Sequence, residues 1–522
     1  APGALDESAI PALPPADRTC LRQMTRDGLL VREDAPASVP QFVAAHALNA
    51  EQADVTRSIC AGLGEYAVHV LFGITGSGKT EIYLNVIAAA LARGLQALVL
   101  VPEIALTPAL QQAIGRRFPG AHIVMQHSAM AEGERSLAWL DAQCGRAHIV
   151  LGTRLAAMVP LARPGLIVVD EEQDGSFKQQ DGLRYSARDL AVYRASVAGI
   201  PIILASATPS MESYQHALRG RYRLHRLTAR AHAQARLPAV HLIDSRLHPA
   251  AHGISEPILA ALRLRLQRKE QSLVFLNRRG YAPVLCCPAC GWISDCPDCA
   301  AHLVLHLKEA RLRCHHCGHE EPVPRACPQC RNVDLRPVGR GTQRLEETLT
   351  QQFPDARLLR IDRDSTRRRG SLQAMLEQVH GGNADILVGT QILAKGHDFA
   401  RLTLVVILNA DAGLFAADYR ASERLFTQLE QVAGRAGRAG LPGEVLIQTR
   451  FPRHPLYQAL QSHDFEGFAR TLLAEREQAG FPPFIHEAAL RVEAPRMELG
   501  EAFLHQAIEL APGDRPGITL FK

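Results

Sequence analysis

The sequence has no apolar run approaching the roughly 18–20 residues that a membrane-crossing helix needs. Its longest candidates, Leu98–Pro102 and Leu166–Asp170, have the length of buried strands, which excludes a helical membrane protein. The first residues, Ala1-Pro2-Gly3, carry neither a basic region nor an apolar stretch, so no secretory signal is expected. They also lack an initiator Met, as expected of a piece of a longer protein. No charge of one sign dominates: 58 Lys and Arg against 53 Asp and Glu leave a formal net charge of +5. That balance is compatible with a polyanionic partner but does not point to one. No internal repeat recurs at a solenoid period. What remains is the composition of an ordinary soluble globular protein, 47% apolar and 21% charged. At ~100–200 residues per domain, a chain of 522 residues predicts three or four units.

Residues 1–45 read as a Pro- and Ala-rich linker followed by a short helical pattern, either a winged-helix remnant or a solvated arm. From about residue 46 short apolar runs alternate with helix-length segments: Val68–Phe72, Ala97–Val101, Ile149–Gly152, Leu166–Val169 and Ile202–Leu204. The pattern resumes at Leu273–Leu276, Asp385–Gly389 and Val405–Leu408. Buried strands separated by helices predict parallel sheets covered on both faces. The expected architecture is α/β, with one lobe at 46–228 and a second at 229–455. A Cys-rich insertion at 286–337 interrupts the second lobe, and 456–522 is a C-terminal segment cut short.

Gly73-Ile74-Thr75-Gly76-Ser77-Gly78-Lys79-Thr80 matches G-x-x-x-x-G-K-T between a strand and a helix-forming segment. Glycines there let successive backbone N–H groups turn toward phosphate oxygens, and the helix N-terminus adds a favourable dipole. Lys79 is expected on the β- and γ-phosphates of ATP, and the Thr80 hydroxyl on Mg²⁺. A second apolar strand ends in Asp170-Glu171, with Asp170 expected to hold the metal and Glu171 to polarise the attacking water. Ser206-Ala207-Thr208 ends a third. Gln431–Arg438 carries Arg435 and Arg438 three apart, a spacing that allows both to share one helical face and reach a transferring phosphoryl group. Gly389-Thr390-Gln391 and Lys395–Phe399 follow a strand of the second lobe, and Gln52 is placed to read an adenine edge.

Eight of the 12 cysteines form four C-x-x-C pairs: Cys287/Cys290, Cys296/Cys299, Cys314/Cys317 and Cys327/Cys330. Without a signal peptide, such clustering predicts thiolate–metal sites rather than disulfides. Eight thiolates fill two closed Cys₄ sites, so two structural Zn²⁺ are expected; spacing does not say which pairs share an ion. His315, His316 and His319 find no vacancy there.

The order Gln52, phosphate loop, Asp170-Glu171, Ser-Ala-Thr, Gly389-Thr390, Arg435 and Arg438 resembles superfamily 2 helicases, whose motifs face a cleft between two RecA-like lobes. Asn277–Pro283 followed by the cysteines, together with Gly73–Leu84, Val101–Pro108, Lys178-Gln179-Gln180 and Leu393–His397, resembles the PriA family of bacterial replication-restart helicases over about residues 46–490. The resemblance implies ATP-driven 3′-to-5′ unwinding of single-stranded and forked DNA at stalled forks and D-loops. It also implies contacts with single-strand-binding protein, other primosome proteins and the loader of the replicative helicase, in the bacterial cytoplasm at the nucleoid. It implies that the outer two cysteine pairs share one zinc and the inner two the other. Asp174–Tyr185 corresponds to the family's DNA-coupling loop, in which Phe177 and Tyr185 would stack on bases while Lys178 and Arg184 meet phosphates. Gln173 stands where the family has His, Leu183 where it has Trp, and the family's N-terminal 3′-end-binding domain is missing from this sequence. Two other readings stay open: a DNA-stimulated translocase that does not unwind, and a zinc-stabilised primosome-loading scaffold.

Overall fold

The structure is a computed structural model that describes residues 14–26, 40–103, 107–231, 237–248, 250–251, 253–277, 284–287, 289–290, 292–298, 303–306, 309–314, 318–338, 341–362, 365–366, 371–390, 393, 399–414, 418–437 and 441–511. The chain divides into two compact units: residues 1–69 with 79–205, and residues 70–78 with 206–522. The division passes through the first strand, β1 (Val68–Gly73), and again between Gly78 and Lys79 of the phosphate loop.

In the first unit, β2 (Gln96–Leu100), β3 (Ile123–Gln126), β4 (Ile149–Gly152), β5 (Pro164–Asp170) and β6 (Ile202–Ser206) run parallel in the order β3-β4-β2-β5-β6. Every residue of β2 and β4 is buried, which is why Ala97–Leu100 and Ile149–Leu151 are apolar without alternation, while the side chain of Gln96 donates to the Ala142 and Ala147 carbonyls. The start of β1 lies beside β6, where the Ile202 N–H donates to the Ala67 carbonyl (2.9 Å). The helix Ala50–Ala61 opens on a reciprocal capping box: Asn49 Oδ1 accepts from the Gln52 N–H and Gln52 Oε1 accepts from the Asn49 N–H, 2.9 Å each. β3 escapes the sequence pattern because it is a four-residue edge strand with only alternate residues buried.

The second unit holds β7 (Arg223–Leu227), β8 (Ala239–Asp244) and a two-residue ribbon of β9 (Ala250–Ala251) with β10 (Ile254–Ser255). Its main sheet adds β11 (Gln271–Leu276) and, beyond the Cys-rich region, β17 (Leu358–Ile361), β18 (Ile386–Gly389), β19 (Leu402–Leu408) and β20 (Glu444–Thr449). These strands are parallel, in the order β17-β18-β11-β19-β20-β8. Period-two geometry splits the central strands between two cores. Leu273, Phe275, Val405 and Ile407 face one side with Phe426 and Phe468, while Val274, Leu404 and Val406 face the other with Leu262 and Leu349.

Between β11 and β17 lies the Cys-rich region, an antiparallel sheet of β12 (Val284–Cys286), β13 (Val304–His306), β14 (Arg311–Arg313), β15 (Glu320–Pro322) and β16 (Arg336–Val338). Among the described residues its core is Leu285, Leu303, Leu305 and Leu312 with Cys296 and Cys314, with Trp292, Val323 and Leu335 packed against it, a small apolar cluster of the size that usually needs a second source of cohesion. Further on, the helices Pro455–Ser462 and Phe465–Ala479 pack into the second unit's core through Leu456, Tyr457, Phe468 and Leu472. No helix among the described residues is long and apolar enough to cross a membrane.

Candidate nucleotide site and cysteine centre

The loop after β1 is tightly wound. A Cβ on Gly73 would sit 2.5 Å from Ser77 Oγ, and Gly76 and Gly78 both adopt φ of +81°, a region closed to most side chains. The loop leads straight into the helix Lys79–Ala92, whose first N–H groups have no partner within the helix. This glycine-lined turn at a helix N-terminus suits phosphate oxygens. Within the second unit the Ala231 N–H donates to the Gly76 carbonyl (2.9 Å), and Arg230 lies alongside Gly76 while donating to the Gly437 carbonyl (3.2 Å).

Asp170 ends β5, where its Oδ2 accepts from the Tyr83 hydroxyl (3.2 Å) and its Oδ1 from the Glu171 N–H (3.1 Å). Loss of water around the Asp170 carboxyl, followed by the Glu171 charge, pushes its pKa up to about 6, against the pull of Lys79 and these hydrogen bonds. Burial and the same carboxylate hold Tyr83 protonated, well above the ordinary phenol range. A hydroxyl such as that of Thr80 and a carboxylate such as that of Asp170 offer oxygen donors, the kind Mg²⁺ takes. Glu171 occupies the left-handed region (φ 50°), and Gln173 Nε2 donates to its Oε2 at 2.6 Å. Gln173 therefore steadies the carboxylate expected to polarise water. Gln52 is buried with its amide oxygen engaged by the Asn49 N–H.

The loop after Asp170-Glu171 departs from expectation at one position. Phe177 is only 2% exposed, so its ring anchors the loop and is not presented for stacking. Burial is enforced by Asp174, which caps the short turn Gly175–Phe177, and by Arg154, whose guanidinium donates to the Ser176 and Lys178 carbonyls at 3.0 and 3.2 Å. The Tyr185 hydroxyl donates back to the Arg154 carbonyl (3.2 Å), and Lys178 Nζ to the Arg184 carbonyl (3.0 Å). Lys178, Leu183 and Arg184 are exposed.

A second correction concerns the arginines. The helix Ala421–Ala433 stops before Arg435, which lies in the turn Gly434–Gly437, so a shared helical face is not how the segment presents it. The left-handed Gly437 (φ 71°) cannot continue a helix, and Arg438 lies outside the described residues. What the turn achieves is proximity: a Cβ on Gly434 would meet Thr75 of the phosphate loop at 2.7 Å. Ser206 and Thr208 are both buried, with the Thr208 N–H donating to Ser206 Oγ (2.8 Å). Gln391 and Lys395–Asp398 also lie outside the described residues.

Cys287, Cys290, Cys327 and Cys330 converge, with all four sulfurs within 4.8 Å of one another. The Sγ–Sγ separations Cys287–Cys330 and Cys290–Cys327 are both 3.5 Å. Four thiolates at Zn–S distances of about 2.3 Å define a tetrahedron with an edge of about 3.8 Å, so the cluster fits zinc. Burial opposes ionisation of Cys287, yet the N–H groups of Cys290 and Ala289 and the adjoining thiols draw its pKa down to about 6. Cys296 and Cys314 are buried in the small core, whereas Cys299 and Cys317 lie outside the described residues. His319 pairs with Asp298 (2.8 Å).

Sequence reasoning missed Tyr83, Arg154 and Arg230. Only Arg154 left a signal: Gly152-Thr153-Arg154 at the end of β4 repeats the Gly389-Thr390-Gln391 pattern at the end of β18.

Three family models match the chain: DEAD/DEAH box helicase at residues 50–217, the PriA DNA helicase Cys-rich region domain at 296–322, and the helicase conserved C-terminal domain at 338–440. Replication restart protein PriA of Haemophilus influenzae is 44% identical over 441 residues, 84% of this chain and 60% of that protein. The Bacillus subtilis protein of that name is 41% identical over 432 residues, 82% of this chain and 53% of that one. The chain thus spans between half and two thirds of the length of these curated relatives.

Proposed function

The chain belongs to the PriA family of replication restart helicases, and we propose that it is a DNA-dependent ATPase that unwinds DNA 3′ to 5′ at stalled forks and D-loops. Its task in this reading is primosome assembly and loading of the replicative helicase, in contact with single-strand-binding protein, in the cytoplasm. The observation that carries the reading is a complete phosphate loop with an arginine-bearing segment packed on it through Gly434 and Thr75.

Lys79 would neutralise charge on the β- and γ-phosphates, and Gln52 would contact adenine. Mg²⁺, held by Thr80 and Asp170, would supply charge neutralisation at the phosphates when bound. Glu171, held by Gln173, would orient the attacking water, while Arg435 and Arg438 stabilise charge on the transferred phosphoryl group. Lys178 and Arg184 would meet DNA phosphates and Tyr185 a base. The eight paired cysteines would hold two structural Zn²⁺, the outer pairs one and the inner pairs the other. The lobes of the motor would be 46–228 and 229–455, with 286–337 inserted.

The test is ATP hydrolysis with and without single-stranded DNA at a stated low salt, then displacement of a labelled strand from duplexes tailed at either end. Strong stimulation with displacement from 3′-tailed duplex supports the proposal. Stimulation without displacement gives a translocase instead. No hydrolysis refutes it and leaves the loading scaffold.

A further inference from the structure

Glu423 is a buried carboxylate that no motif singles out, and it joins three separate segments of the second unit. Its Oε1 accepts from the Met211 N–H (3.0 Å), the first residue of the helix Met211–Leu218. Its Oε2 accepts from Nη2 of Arg476 (2.7 Å) on the helix Phe465–Ala479. Arg476 is only 2% exposed; it also donates to the Tyr419 carbonyl (3.2 Å) and lies over the Tyr419 ring, which stacks on Phe481. One residue along, Arg420 Nη2 donates to Glu212 Oε1 (2.9 Å). Two consecutive residues at the head of Met211–Leu218 are therefore bound to the segment 420–423.

The positions of these residues give the cluster a mechanical meaning. Met211 follows the Ser206-Ala207-Thr208 turn by three residues. Glu423 lies in the first turn of Ala421–Ala433, a rod about 20 Å long at 1.5 Å per residue. The far end of that rod is Gly434, packed on Thr75, with Arg435 next to it. Packed helices move as stiff bodies because their interiors leave no slack. Any displacement of the Ser-Ala-Thr turn is delivered through Glu423 to the arginine segment, and the reverse holds equally. A carboxylate suits the joint, since it accepts a helix N-terminal N–H and an arginine at once, whereas an apolar residue would take the Glu423 acceptor from the Met211 N–H and the counter-charge from the buried Arg476.

We propose that Glu423 is a positioning residue for phosphoryl transfer: it registers the helix that leads into Arg435 against the Ser206–Thr208 turn. The inference rests on the ATPase reading of the phosphate loop. Burial and the neighbouring Glu212 raise the Glu423 pKa, and Arg476 opposes them, so the joint depends on keeping its arginine partner.

The experiment is a double-mutant cycle on the full chain, measuring kcat and KM for DNA-stimulated ATP hydrolysis. Glu423→Gln keeps the acceptor for the Met211 N–H but removes the ion pair. It is expected to leave KM for ATP within about twofold and to lower kcat by about tenfold, as loss of an interaction used in the transition state does. Arg435→Ala is expected to lower kcat further, and adding Glu423→Gln to it to cost less than about twofold more, because the two act through one element. Independent, multiplicative losses, or a Glu423→Gln effect confined to thermal stability, would overturn the inference. If Glu423→Gln does not fold, Arg420→Gln replaces it, cutting the half-exposed second strut; it should lower kcat about threefold and be silent in the Arg435→Ala background. A folded Arg420→Gln with wild-type kcat overturns the inference in that case. Absence of hydrolysis in the wild type instead brings down the ATPase reading, a result distinct from an active wild type with an indifferent Glu423.

Discussion

Gly434→Ala tests the contact between the arginine segment and the phosphate loop. The added methyl carbon would lie 2.7 Å from Thr75 Cγ2 and Oγ1 and 2.8 Å from its Cβ, where ordinary contact begins at 3.4 Å. Rotating Thr75 moves the first two atoms but not the Cβ, so backbone must shift by about 0.6 Å to restore 3.4 Å. Overpacking of this kind costs about 1–3 kcal/mol. The effect on chemistry is larger, since displacing a catalytic group by about 1 Å can lower a rate on the order of a hundredfold. We expect Gly434→Ala to lower kcat for DNA-stimulated hydrolysis by about ten- to a hundredfold with a modest fall in Tm. Thr75→Gly removes the atoms in the way, so kcat of the double variant should match that of Thr75→Gly alone. Steady-state hydrolysis of the wild type and three variants at saturating DNA decides it. A Gly434→Ala enzyme with wild-type kcat, or a Gly434→Ala defect just as large in the Thr75→Gly background, refutes the reasoning.

Lys79→Ala should abolish turnover while leaving the thermal transition in place, because Lys79 is only partly buried at a helix start; retained hydrolysis overturns the site assignment. Cys327→Ser should remove one zinc per chain, measured by atomic absorption in reducing buffer, and expose 287–330 to proteolysis, because the local core is too small to stand without the metal. Unchanged metal content would sink that assignment. His463 has a raised pKa because its ring pairs with Glu430 (3.7 Å), an attraction that outweighs its burial. Its contribution to stability is therefore full below the unfolded value of about 6.5 and lost as pH rises through the higher folded value. The gap in Tm between wild type and His463→Asn, a replacement that tolerates the left-handed backbone there, should be widest near pH 6 and close toward pH 9. A gap independent of pH refutes the pairing.

The sequence by itself determined whatever is local. Strand, glycine turn and helix are consecutive at residues 68–92, so the phosphate loop is legible from spacing alone. The same holds for Asp170-Glu171 at the end of an apolar run, for the four C-x-x-C pairs, and for strands buried on both faces. Two expectations did not hold. The resemblance of the 174–185 loop implied that Phe177 would stack on a base, but Arg154 and Asp174 turn Phe177 inward. Two arginines three apart read as one helical face until Gly434 and Gly437 ended the helix first. Spacing left open which cysteines share a site; the resemblance implied the outer pairs, and the tertiary structure brings the sulfurs of Cys287 and Cys330 to 3.5 Å from 43 residues apart. It alone brought Glu423 to the Met211 N–H across 212 residues, and Tyr83 to Asp170 across 87. Periodicity records which face of an element is buried; it holds no record of which distant element covers that face, and the chemistry of this site depends on those distant partners.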